Sequence, residues 1–275
     1  MEAIAWGYGL AEAPRVDDAG NLWFSDAVGG GVYRRSSDGA VETVIPKRRG
    51  VGGLVLHADG GVVVSGRDVV HVRAGETRLL LRVEGVLGFN DMITDTRGRV
   101  YVGSLRSSAF IDTSPRVPGE LWRIDRAGTV VEVYGDVAFC NGAGFSPDGR
   151  TIYHSNYSEG HVLAHDLDAE GLAVNRRVFA ALPRGNPDGL AIDESGCVWV
   201  AMGAGGAIAR FTPAGELDGI VPVPARFVAS VCFGGTDRRD VYVTTADNVE
   251  RPERRGTVFR MRSEVPGLPV PPARV

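Results

Sequence analysis

The sequence predicts an all-β protein, a six-bladed β-propeller with four-stranded antiparallel blades around a central channel. Three observations predict it. One β unit recurs six times at a spacing of roughly 40 to 50 residues, the range of propeller blades. Glycine is abundant, 38 of 275 residues, and falls in turns between β-branched and aromatic runs. No long stretch carries the helical period.

The unit is an apolar run, a turn of D-x-x-G type and an alternating apolar strand. The copies read VDDAGNLWFSD from Val16, LHADGGVVVSG from Leu56, ITDTRGRVYVGS from Ile93, FSPDGRTIYHSN from Phe145, IDESGCVWVAMG from Ile192 and FGGTDRRDVYVTTA from Phe233. A second hairpin follows each, as in GGGVYRRSSDG, GELWRIDRAG and RGTVFRMRSE, and supplies a third strand. Runs such as VETVIP from Val41 and VVEVYG from Val130 supply a fourth. Single sheets of this kind have apolar faces that need neighbours, and radial stacking buries them while leaving short edges. Residues 1–275 are therefore expected to form one propeller domain, with Glu2 to Trp6 as an added strand of the last blade.

Composition narrows the function. The formal net charge is −4, which implies no nucleic-acid or membrane partner. Lys47-Arg48-Arg49 and the stretch Arg251 to Arg255 read as solvated loops. Three cysteines, Cys140, Cys197 and Cys232, suggest no disulfide framework and fit a reducing compartment. The N-terminus lacks a signal-peptide pattern and no apolar run is long enough for a membrane helix. A cytoplasmic protein acting on a small molecule is expected, with its oligomeric state open.

The informative residues are Glu12, Asn90, Asn141 and Asp188. Each stands eight positions before a turn glycine: Gly20, Gly98, Gly149 and Gly196. Equivalent positions in a ring of repeats face one axis. In a propeller the first strand of each blade lines the channel, and these residues stand at its N-terminal end. The same position is Gly52 in the second repeat and near Ala229 and Ser230 in the sixth, so those two blades are expected to leave space. Two carboxylates and two amides on one axis make a candidate site for a hard cation. The plainer reading is that such residues only cap strand ends and make turn hydrogen bonds.

The same phrases resemble the SMP-30/gluconolactonase/luciferin-regenerating family of six-bladed metal-dependent lactonases. The resemblance is carried by EAPRV at Glu12, SDAVGGGVYR at Ser25, FNDMITDTRGRVYVGS at Phe89, CNGAGFSPDGRTIYHSN at Cys140, PDGLAIDESGCVWVA at Pro187 and VCFGGTDRRDVYVTTA at Val231, with a similar tail, VPGLPVPP, from Val265. It implies that Glu12, Asn141 and Asp188 hold one divalent cation, and that Asn90 touches the ion, a water on it or the substrate. Calcium fits the donor set best; magnesium, manganese or zinc are alternatives. The implied reaction is hydrolysis of a lactone, with the ion polarising the carbonyl and Asp188 taking the proton of the attacking water. A propeller enzyme acting on an aryl ester or phosphotriester, or by a non-hydrolytic reaction, and a non-enzymatic binding propeller are the competing functions.

The chain departs from the pattern at Gly88, where sugar lactonases of the family have an arginine; the glycine is expected to widen the mouth. Arg106, in the long loop Leu105 to Gly119, could reach in instead, with Phe110 and Ile111 as an apolar lid face. Trp6 could line the pocket from the metal-bearing end. Ala13 replaces the family's glycine after the ligand glutamate. Asp91 is expected to face away from the channel as a turn residue, and His154 and Asn156 to lie on the opposite face. Cys140 and the repeated Trp23, Trp122 and Trp199 are expected in the blade cores.

Overall fold

The computed structural model describes residues 1–108 and 116–275. Its strands form six four-stranded antiparallel sheets. The inner strands are Ala11–Val16, Leu54–Leu56, Gly88–Thr94, Cys140–Phe145, Leu190–Ile192 and Val228–Gly234. Neighbouring inner strands pack side by side through all six blades, and the last meets the first, so the ring closes.

The last blade closes as expected from the sequence. Glu2–Tyr8 pairs with Gly256–Arg262, in the register Glu2 to Arg260 and Tyr8 to Gly256. The order in that sheet is the N-terminal strand, Gly256–Arg262, Asp240–Thr245 and Val228–Gly234. Tyr8 also meets Phe24 of the first blade edge-on at 4.9 Å, which ties the two ends of the ring together.

Burial follows strand order. The second strands are sandwiched between blades: Val62, Val63 and Val64 are buried, as are Val100, Tyr101 and Val102. β-Branched and aromatic side chains fit such a two-sided surface, and each one buried contributes about 1.5–3 kcal/mol. Outer strands such as Glu76–Leu81 are largely exposed. Trp23 and Trp199 are buried as expected, and each indole N–H donates to the aspartate that opens its turn, Asp17 at 2.9 Å and Asp193 at 3.0 Å. The same aspartates accept backbone N–H groups of their turns, and Gly20 and Gly196 take the positive φ that ends each turn. Trp122 is only partly buried, against the core shared by the second and third blades.

These turns lie at the end of the channel away from Glu12, Asn90, Asn141 and Asp188. The C-terminal segment crosses that end. Leu268 donates to Ile192 of the fifth blade at 2.9 Å, Ala273 to Leu56 of the second at 2.7 Å and Arg274 to Gly98 of the third at 2.8 Å. A cavity of about 570 Å³ sits above this strap, lined by apolar groups such as Ile93, Phe145, Ile192 and Phe233, with Arg15 among its lining. None of the four register residues lines it, so this cavity and the polar cluster occupy different ends of one channel. No helix among the described residues is long and apolar enough to cross a membrane.

Candidate metal centre

A shared irregularity aims the site. The pairing of the inner strands slips between Glu12 and Arg15, between Phe89 and Met92, between Cys140 and Ala143, and between Val228 and Ser230. A bulge puts an extra residue into one strand and redirects its side chains. Here it recurs at the candidate-ligand end of these four strands, and it is absent from the inner strands of the second and fifth blades, so it redirects the segments of Glu12, Asn90 and Asn141 but not that of Asp188. Ala13 sits in the first bulge at φ +50°, a left-handed conformation that costs an alanine roughly 1–2 kcal/mol. That explains why glycine suits this position in the family pattern.

The inner strands are laced together at the same level. Gly142 donates to Asp188 at 3.2 Å, and Gly189 donates to Ala229 at 2.8 Å. A Cβ on Gly142 would lie 2.5 Å from the Leu190 nitrogen, and one on Gly189 would lie 2.0 Å from the Ser230 hydroxyl. The glycines after Asn141 and Asp188 are therefore needed for close approach of the next blade, which draws their neighbours toward one axis.

Glu12, Asn141 and Asp188 are all buried. Burial is the first cause that pushes the Glu12 carboxyl well above its ordinary range, followed by the charges of Asp188 and Asp91. Asp188 is raised in the same way, by burial first and then by Asp91, with Asn141 and the Gly189 N–H pulling it down. Asp188 Oδ1 is buried without a hydrogen-bond partner. Asn90 reaches the same place: its Nδ2 donates to the Cys140 carbonyl at 2.9 Å, on the strand that carries Asn141.

The second blade does not leave the expected space. A Cβ on Gly52 would lie 1.9 Å from Asn90 Oδ1, so the Asn90 amide fills the gap that Gly52 opens. Gly88 does not widen the mouth either. A Cβ there would meet the Gly66 carbonyl at 3.0 Å, because Gly66 and Phe89 bridge the second and third blades.

Asp91 was expected to face away, and the bulge after Phe89 changes that. It is buried, its charge raises both Glu12 and Asp188, and its Oδ1 lies 3.6 Å from Arg15 Nη2. Burial raises the Asp91 carboxyl itself, against the pull of Arg15. Arg15 donates to the carbonyls of Pro14 and Met92, each at 2.7 Å, and so closes the floor of the cluster. Strict alternation could not have found either residue; the adjacent pair Asn90-Asp91 was the only hint.

Other expected positions are corrected. Trp6 lies on the outermost strand of the last blade, half exposed under the Arg254 guanidinium at 4.1 Å, and does not line the channel. Arg106 is drawn outward into an ion pair with Glu120 at 2.5 Å and a hydrogen bond to the Gly85 carbonyl. Asn156 pairs with Cys140 and so stands at the candidate-ligand end, with its Oδ1 unpartnered. His154 pairs with Ala143 midway down the sheet, buried against Tyr134. Phe110 and Ile111 lie outside the described residues. Cys140 is buried as expected, and burial pushes its thiol far up.

The donor set suits a hard cation. Three buried carboxyls, Glu12, Asp91 and Asp188, share this end with one buried guanidinium, whose ion pair is with Asp91, and one oxygen of Asp188 lacks any partner. Buried charge of one sign is stable only when neutralised by protons or a cation. Among the described residues no three His, Cys, Asp or Glu side chains converge to hold a metal by themselves, and the other oxygen donors at this end are the Asn90 and Asn141 amides. That is the donor chemistry of calcium or magnesium and not of a soft metal.

Known proteins share this frame. A family model described as the SMP-30/gluconolactonase/LRE-like region matches residues 10–247. A 6-deoxy-6-sulfogluconolactonase of Pseudomonas putida is 32% identical over 268 residues, 91% of this chain and 89% of that one. Pentonolactonase XacC of Haloferax volcanii is 33% identical over 236 residues, 83% of this chain and 78% of that one. The solved structure of a luciferin-regenerating enzyme superposes with a TM-score of 0.89 at 25% identity, covering 100% of this chain and 99% of that chain.

Proposed function

We propose that this chain, which belongs to the SMP-30/gluconolactonase/LRE-like family, opens a lactone ring by hydrolysis with one divalent cation held by Glu12, Asn141 and Asp188. Relatives that act, by name, on a sulfogluconolactone and a pentonolactone support a lactonase and favour aldonolactones as the substrate class. The observation that carries the reading is the unpartnered Asp188 Oδ1 among three buried carboxyls and two amides. Calcium is the ion we favour.

Bound there, a divalent cation would supply polarisation of the lactone carbonyl and a lowered pKa for a neighbouring water. The chain's own groups do the rest. Asp188 takes a proton from the attacking water as the new C–O bond forms. The ring C–O bond then breaks, and the proton passes from Asp188 to the departing alkoxide, which leaves a hydroxy acid. Asn90, held by the Cys140 carbonyl, orients the substrate. Arg15 offsets Asp91 and keeps negative charge beneath the cluster from accumulating unpaired.

The test is a lactone screen with and without chelator, on the wild type and on Asp188→Asn. Loss of a general base costs about 10²- to 10⁴-fold. Turnover that survives both the chelator and the substitution would overturn the reading.

A further inference from the structure

The rim above Asp188 carries a guanidinium with no role in the chemistry so far. Arg116 lies over the Phe139 ring, with its Cζ 4.6 Å from the centroid. Its Nη1 donates to the Ser108 carbonyl at 2.9 Å, a neutral partner. Among the described residues no carboxylate pairs with it, whereas Arg106 is held by Glu120 and Arg48 by Asp68. Phe139 stands two positions before Asn141, and its ring packs on Tyr157 at 5.6 Å. The Phe139 carbonyl accepts the Tyr157 N–H at 3.0 Å. The Asn186 amide, two positions before Asp188, donates to the Tyr157 carbonyl at 2.7 Å, which ties this wall to the Asp188 segment. Arg116, Phe139 and Tyr157 thus form one wall of the mouth, with the cation at its outer edge and Asp188 at its base.

A guanidinium fixed on an aromatic face keeps its edge donors free for a planar or tetrahedral anion. Gly88, at the start of the neighbouring inner strand and packed under the Gly66 carbonyl, contributes no side chain of its own beside this wall. We infer that Arg116 is a specificity residue, which selects lactones bearing an anionic substituent (a carboxylate, phosphate or sulfonate) on the end of the sugar remote from the ring carbonyl. This rests on the lactonase reading and deepens it. The carbonyl end of such a substrate sits over Asp188, and its anionic end reaches Arg116 along the Phe139–Tyr157 wall.

The test compares kcat/KM for 6-phosphoglucono-lactone and for uncharged glucono-lactone in the wild type, Arg116→Gln and Arg116→Lys. Losing a charge-assisted hydrogen bond should lower the charged-to-uncharged ratio about tenfold or more in Arg116→Gln. Arg116→Lys should restore part of it, and added salt should lower it in the wild type. Calorimetric affinity for the product acid, 6-phosphogluconate, should fall in parallel, and thermal melting verifies that each variant is folded. A wild type that opens both lactones with a ratio unmoved by Arg116→Gln overturns the inference and leaves the lactonase reading intact. A wild type that opens neither overturns both.

Discussion

Gly52→Ala separates the site from the scaffold. Gly52 belongs to the second blade and contributes no side chain, yet its missing Cβ is where the Asn90 amide oxygen rests. An added Cβ would lie 1.9 Å from that oxygen, against an ordinary carbon–oxygen contact of about 3.3 Å. The Asn90 amide must therefore retreat by roughly 1.4 Å, which breaks its 2.9 Å bond to the Cys140 carbonyl. The cost in stability is about one hydrogen bond, near 1 kcal/mol, because a side chain and not the backbone gives way. The cost in turnover is larger, since a misplacement of about 1 Å at a reacting site lowers rate on the order of 100-fold. Gly142→Ala is the contrast: its Cβ meets backbone at 2.5 Å and should destabilise the fold outright. The assay is kcat/KM on a lactone beside a chemical melt for each variant. Full activity in Gly52→Ala, or a collapse in stability equal to that of Gly142→Ala, would refute the role given to Asn90.

Two other predictions concern pH. Glu12 and Asp188 are raised by burial and by neighbouring carboxylates, so the cation-free protein holds protons there that the unfolded chain releases. Its stability should fall as pH rises from the ordinary carboxylate range through the raised values. A divalent cation replaces those protons, so the rise in Tm on adding calcium should be larger at pH 8 than at pH 5.5; an equal rise at both would contradict it. A hundredfold excess over Kd is worth about 2.7 kcal/mol. His154 behaves oppositely. Burial, then His165 and Arg176, pushes its pKa down to about 3. The unfolded chain takes up that proton first, so the stability is fully present above about pH 6.5 and is lost as pH falls toward 3. The loss at pH 5 is about 2 kcal/mol. Urea melts from pH 7 to pH 4 should show His154→Gln with a shallower acid slope than the wild type; identical slopes would exclude His154 as the source.

Much of the fold was legible because repetition amplifies weak signals. A single turn between two apolar strands is ambiguous, but six copies of one β unit at blade spacing predict a ring, and the ring predicts that Glu12, Asn90, Asn141 and Asp188 converge. Closure by Glu2–Tyr8 was legible for the same reason: an extra strand at one end must complete the blade at the other. What the sequence hid depends on departures from regular geometry. The bulges turn Asp91 inward and set Ala13 at positive φ, and no period-2 reading anticipates them. Gly52 and Gly88 read as open space but are filled from neighbouring blades, by a side chain and by a carbonyl. Trp6 reads as near the mouth because height along the strand is visible in sequence, whereas distance from the axis is set by strand order in the closing sheet.

Glu12 and Asp188, with Asn141, are proposed to hold one divalent cation at the channel mouth. Calorimetric titration of chelator-stripped protein with calcium tests it most directly, in the wild type, Glu12→Gln and Asp188→Asn. One site per chain in the wild type, lost or weakened at least tenfold in both variants, is the predicted result. Absence of binding in the wild type, or one site of unchanged affinity in both variants, would contradict it.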